Sequence, residues 1–342
     1  MNLVGKLRGF GSVAAVAAFG LGASSVAAET LTVEGIYGAQ ANLPADIVVI
    51  ATETFAGDSG ADVSLELTDR LGGVYIDGEP FFRVVPAGIA PTTQVVVIDN
   101  SGDGDPERVV VDDPNAPDAI LRGTVSSNYS EMRLADQRRN RCVTTNADGD
   151  CTERRDVTVT CFKYTVQLSP RLRMTDASGR ELYALRDRGT KSVQACETDN
   201  VDIDPEEMRL ALVSEMVANI RRDLAPVQSR RSIRIMESRK GLKGDDREAF
   251  KAAVKLTNDN PNAACTAFEA LEANNPTNVS VLFNIGLCYE QAGALVLAQD
   301  YYNRALESDP GRDYPTSGLA RIASAFLGQE QMEARYATQG DQ

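Results

Sequence analysis

The spacing of apolar residues changes period along the chain, and the change divides it. Around residues 31–37 and 46–54, Val and Ile lie between Gly and Pro breaks, which predicts strands. Residues 60–71 fit two periods: Val63, Leu67 and Leu71 suit a helix, whereas Val63, Leu65 and Leu67 suit a strand, and the helix is preferred. Short strands are expected at 81–85, 94–99, 109–112 and 119–126. A long hairpin then joins 157–174 to 181–196 through Ala177-Ser178-Gly179. Beyond it the period lengthens. Asp204 can cap a helix, Pro205 suits its first position, and Glu206 and Glu207 suit its positive end; Met208, Leu212, Met216 and Ile220 form one apolar stripe. A last short strand at 233–236 leads through Gly241 and Gly244 into helical periodicity that runs past Met332.

The carboxy-terminal pattern carries a resemblance. Leu282, Ile285, Gly286, Tyr289, Ala298, Tyr302, Ala305 and Pro310 closely follow the order of small, aromatic and Pro positions in a 34-residue tetratricopeptide repeat. Thirty-four positions earlier, Ala264, Phe268 and Pro276 repeat the second helix, while Ala252 and Lys255 replace the Gly and aromatic of the first. Leu319, Ile322, Phe326 and Met332 read as a solvating cap helix. The resemblance implies a partner-binding groove at Ser280, Phe283, Asn284, Leu287, Glu290 and Gln291. The expected fold is therefore α+β, a mixed sheet with packed helices over 29–240, followed by an all-α tetratricopeptide helical-hairpin array over 245–336. So short an array is expected to lean on the preceding domain.

A second resemblance rests on Asp118 to Val125, on Asp176 to Leu182, and on the following helix that ends near a Pro. It is similar to the curli-assembly outer-membrane lipoprotein family and relatives with a TolB-amino-terminal-like domain, which implies an accessory role in envelope assembly. This chain departs from that family in having no cysteine before Cys142 to carry a lipid.

Composition adds a compartment. Lys6 and Arg8, an apolar run over 11–23 and the small residues Ser25 to Ala28 predict a signal peptide over 1–28, cleaved after Ala27 or Ala28; an uncleaved anchor is the alternative. No later run is apolar enough to span a bilayer. A periplasmic or secreted protein can oxidise its six cysteines. Spacing alone allows fifteen pairings. Residues equidistant from an antiparallel turn face one another, however, and three pairs are centred on expected turns: Cys142 with Cys151, Cys161 with Cys196, and Cys265 with Cys288.

Candidate chemistry is narrow. With no histidine, Ser-His-Asp triads and histidine metal sites are impossible. A formal charge of -14 argues against nucleic acid as partner, and the basic stretch over 221–243 is expected to be neutralised internally or solvated. Asp99, Asp103 and Asp105 alternate as in half a calcium loop, but Val110 stands where a bidentate Glu belongs, and a solvated hairpin turn, which explains the same residues, is preferred. No cofactor is expected. The function expected is non-enzymatic capture of a protein partner in the periplasm or at the outer membrane. The rival is a carboxylate-based enzyme or a carbohydrate- or cell-wall-binding domain at the amino-terminal end. Non-reducing peptide mapping should return the three cysteine pairs; Cys161 linked to any of the other four would sink the hairpin.

Overall fold

The computed structural model describes residues 29–86, 94–98, 107–111, 116–199 and 201–340. The expected signal peptide and the loop with Asp99, Asp103 and Asp105 lie outside the described residues. The first elements are β1 (Thr30–Tyr37), β2 (Val49–Thr52), α1 (Gly60–Gly72), β3 (Tyr75–Ile76), β4 (Glu79–Pro80), β5 (Arg83–Pro86), β6 (Gln94–Ile98) and β7 (Glu107–Val111). Then come β8 (Ala119–Arg133), β9 (Gln137–Thr145), β10 (Cys151–Val159), β11 (Cys161–Asp176), β12 (Glu181–Leu185), β13 (Gly189–Cys196), α2 (Pro205–Leu224) and β14 (Val227–Arg234). Five helices end the chain: α3 (Gly244–Asp259), α4 (Pro261–Glu272), α5 (Val279–Gln291), α6 (Leu295–Ser308) and α7 (Asp313–Gly340). The class is α+β.

The main sheet has the order β12-β11-β8-β2-β5, with β13 lying on the same edge of β11 as β12. β2 runs parallel to β5 and β8, and β8 pairs antiparallel with β11 along its length. Asp118 fixes the start of β8 against β2, its carboxylate accepting from the backbone N–H groups of Val48 (2.8 Å) and Val49 (2.7 Å). One face of this sheet meets α1 and α2 in a core that includes Ile50, Val63, Leu67, Leu121, Leu168, Val217 and Ile220. α2 begins as its sequence requires, with Asp204 accepting from the Glu206 N–H at 2.8 Å and Pro205 in the first turn.

The hairpin expected at 157–196 is built differently. The strand breaks at Thr160: β10 pairs with β9 to form a separate arm, while β11 pairs with β8 and β13. The break at Thr160 accounts for the change of apolar phase between Val159 and Phe162. Cys161 stands opposite Cys196 and is bonded to it; Cys142–Cys151 and Cys265–Cys288 are the other disulfides.

A second core takes residues from both ends of the chain. Leu31 and Val33 of β1, with Ile235 and Met236 just after β14, pack among Phe250, Phe268, Phe283 and Tyr302 of the helices. β1 and β14 form a two-stranded antiparallel ribbon. Such a ribbon is marginal alone and needs a packed face, and the helices supply it.

α7 is not a solvating cap. It reaches back over the ribbon, where Gly38 N–H donates to the Ser324 carbonyl at 2.7 Å. The approach leaves no space for side chains: a Cβ on Gly328 would stand 2.3 Å from the Ile36 carbonyl oxygen, and one on Gly38 would stand 2.5 Å from Leu327 Cγ. Gly328→Val should therefore destabilise the protein by about 2–3 kcal/mol through overpacking, measured by urea unfolding. Wild-type stability in that variant would mean that α7 does not dock here in solution.

Candidate functional site

α5 is apolar around most of its circumference, and a helix of that kind is buried on all sides. Ser280, Phe283, Asn284, Leu287 and Glu290 are all buried, and Gln291 is half-buried at the helix end. The face expected to be an open groove is therefore closed, and the chain's own segment closes it. Asn284 receives the Met236 N–H on its amide oxygen at 2.9 Å and donates its amide N–H to the Met236 carbonyl at 3.0 Å. That side chain satisfies both backbone groups of a single residue beyond the end of β14, as a peptide-binding groove would satisfy a ligand.

Glu290 serves a different contact. Its carboxylate accepts from Arg321 Nε and a terminal guanidinium nitrogen, both at 2.7 Å, and from the Tyr302 hydroxyl at 2.5 Å. Burial, and then the Glu290 carboxylate, hold the Tyr302 hydroxyl pKa far above its ordinary value. The cluster fixes α7 to α5 and α6 by a buried, bidentate ion pair.

Farther along α7 the same logic recurs. Gln331 accepts from the Ala39 N–H and donates to the Ala39 carbonyl, each at 2.8 Å. Arg335, only 4% exposed, donates to the carbonyls of Ala45 (3.1 Å), Ile47 (2.7 Å) and Phe81, with its guanidinium 4.5 Å from the Phe81 ring centre. Burial pushes its pKa below the ordinary arginine value, opposed by Asp118 and Asp46. A recess of about 200 Å³ lies beside it, lined by Leu43, Phe81, Phe82, Leu224 and Pro226 among others. Arg321, Gln331 and Arg335 are the contacts that sequence reasoning missed. Arg321, Ser324, Gly328, Gln331 and Arg335 recur every three or four residues, a polar-and-small stripe that an apolar template passes over.

The basic stretch over 221–243 is spent partly within the fold. Arg230 pairs with Glu34 across the ribbon at 3.0 Å, Arg234 pairs with Glu237 at 3.1 Å, and the Arg231 guanidinium lies 4.4 Å from the Tyr37 ring centre. Among the described residues no group of carboxylates and cysteines is arranged to hold a metal ion, and no helix is long and apolar enough to cross a membrane. Asp58, Asp176, Asp199, Glu206 and Glu272, the described carboxyls with a displaced pKa, are all held low. For Asp58 the leading cause is the Ser127 side-chain hydrogen bond.

No family model and no curated protein sequence matches the chain. Among solved structures, one described as a neuraminyllactose-binding hemagglutinin homolog from Helicobacter pylori is similar over 55% of this chain and 87% of its own, with 10% identity and a TM-score of 0.24.

Glu290→Ala would leave the Arg321 guanidinium buried without its counter-charge, at a cost of about 3–5 kcal/mol. Asn284→Ala would orphan the Met236 N–H and C=O, at about 2 kcal/mol or more. Urea unfolding measures both; a neutral Asn284→Ala would show that the Met236 segment leaves α5 in solution.

Proposed function

We propose that this is an exported, non-enzymatic accessory protein of a bacterial-type cell envelope that captures a protein partner, and that the arm formed by β9 and β10 does the capturing. The helices are read as tetratricopeptide-type pairs. Support comes from α5 and α6, where a Cβ on Gly286 would lie 2.8 Å from the Tyr302 ring, the close approach for which that repeat reserves a small residue. In this reading the repeat groove is used inward, on the chain's own Met236 segment, so an external partner needs another surface.

One observation carries the arm. Its residues are exposed on both faces almost throughout, yet two of the three disulfides hold it, Cys142–Cys151 near the tip and Cys161–Cys196 at the root. The root has only a small apolar cluster of Val159, Cys161 and Cys196 with Leu134 and Val157 beside it. Arg139 pairs with Asp199 there, and Arg141 donates to the Thr198 carbonyl at 2.7 Å. Covalent bracing in place of a core keeps a projecting element ordered while leaving its side chains free. Tyr129, Met132 and Val143 are large apolar side chains exposed on or beside it, and Arg138 and Arg154 offer charge. The three disulfides also favour an oxidising compartment.

A photo-crosslinking residue placed at Val143 should trap a protein partner in intact cells. The same residue at Val296, exposed on α6, should trap none. Adducts from Val296 alone would move capture to the helices, and adducts from neither position would remove the arm reading.

A further inference from the structure

β12 and β13 keep one register against β11: Leu172 stands opposite Leu185, and Leu168 opposite Gly189. Between them Arg186, Asp187 and Arg188 leave the ladder, across from Ser169, Pro170 and Arg171. Pro170 is the physical cause. A proline has no N–H to give to a ladder and is rarely found in a strand flanked on both sides, so the partner chain lifts away and a recess of about 570 Å³ opens.

Four arginines line it: Arg171, Arg173, Arg186 and Arg188. Arg171 and Arg173 are exposed on the sheet face away from α1 and α2, and Arg173 also stands opposite Arg122 of β8. Like charges placed across a ladder destabilise it. Two of these have counter-charges, Glu181 at 2.8 Å from Arg173 and Glu53 at 3.5 Å from Arg122. Arg171, Arg186 and Arg188 have no carboxylate within ion-pairing distance among the described residues; the one acidic residue in the loop is Asp187. Three unpaired guanidinium groups around one recess hold more positive charge than a single carboxylate neutralises.

We propose that this recess binds a ligand with clustered phosphate groups. Guanidinium forks match phosphate oxygens two at a time, and a phosphate cluster brings several negative charges into so small a volume. The site goes beyond the arm and its protein partner, and stands or falls separately.

The test uses the whole purified protein with two probes: sodium tripolyphosphate by calorimetry, and flotation with phosphatidylcholine vesicles with and without phosphatidylglycerol. The variant Arg171→Gln/Arg186→Gln/Arg188→Gln is compared with Arg138→Gln/Arg154→Gln/Arg155→Gln, which removes equal charge from the arm. Wild type should bind at least one probe at 150 mM salt, chosen as about physiological ionic strength. The recess variant should lose at least tenfold in affinity with an unchanged melt, and the arm variant should stay within twofold. Tripolyphosphate binding alone assigns a soluble phosphate ligand; binding to the charged vesicles assigns a lipid headgroup. The proposal is overturned if wild type binds neither probe, if citrate binds as tightly as tripolyphosphate, or if the two variants behave alike.

Discussion

The fold depends on backbone groups that precede α3 being bonded by side chains of the carboxy-terminal helices. A two-stranded ribbon has two open edges and one face to bury, and it cannot stand in water without help. Asn284 closes on Met236, Gln331 on Ala39, and Arg335 on three carbonyls near β2 and β5. These bonds lie inside or beside packed apolar surface, where an unmade bond is costly. The helices therefore do for this chain what a partner-binding array does for a foreign segment, and the two cores cohere through the ribbon and α7.

Much of this was legible in the sequence because the signals are local. The cap and proline of α2 follow from chemistry within a few positions, and the three cysteine pairs and the small residue at Gly286 each follow from the spacing within a single hairpin, although a register shift in the arm leaves Cys142 opposite Arg154 rather than Cys151. The openness of α5 was not legible, since it depends on what lies over the helix. Phe283 and Leu287 suit a groove floor and a core equally well, and Asn284 suits an external peptide and an internal one equally well. The burial of Arg335 was hidden for a related reason: a charged residue in an amphipathic helix is expected on the solvent side. Its partners are carbonyls 254 to 290 positions away.

The arm and the helices solve the same problem by opposite means. α5 gains order by burying its side chains, and so has little left to offer a partner. β9 and β10 bury almost nothing, and a hairpin without a core is barely stable by itself. Two disulfides restrict the unfolded alternatives instead. The residues left exposed by that arrangement are the ones free to meet another molecule.

The recess at Pro170 belongs to this division of labour, and the net charge of the chain sharpens it. At -14 the protein as a whole repels a phosphate-rich ligand, yet exposed charges more than about 8–10 Å apart are largely screened at physiological salt. Recognition of such a ligand then rests on what lies within that distance. At the recess this is Arg171, Arg186 and Arg188 against the single carboxylate of Asp187, with Arg173 already paired to Glu181. A global excess of carboxylate with a local excess of guanidinium favours a ligand whose charges are concentrated, because a dispersed polyanion meets the repulsive surface as well. The interruption of one strand by one proline is what places those guanidiniums around a common space.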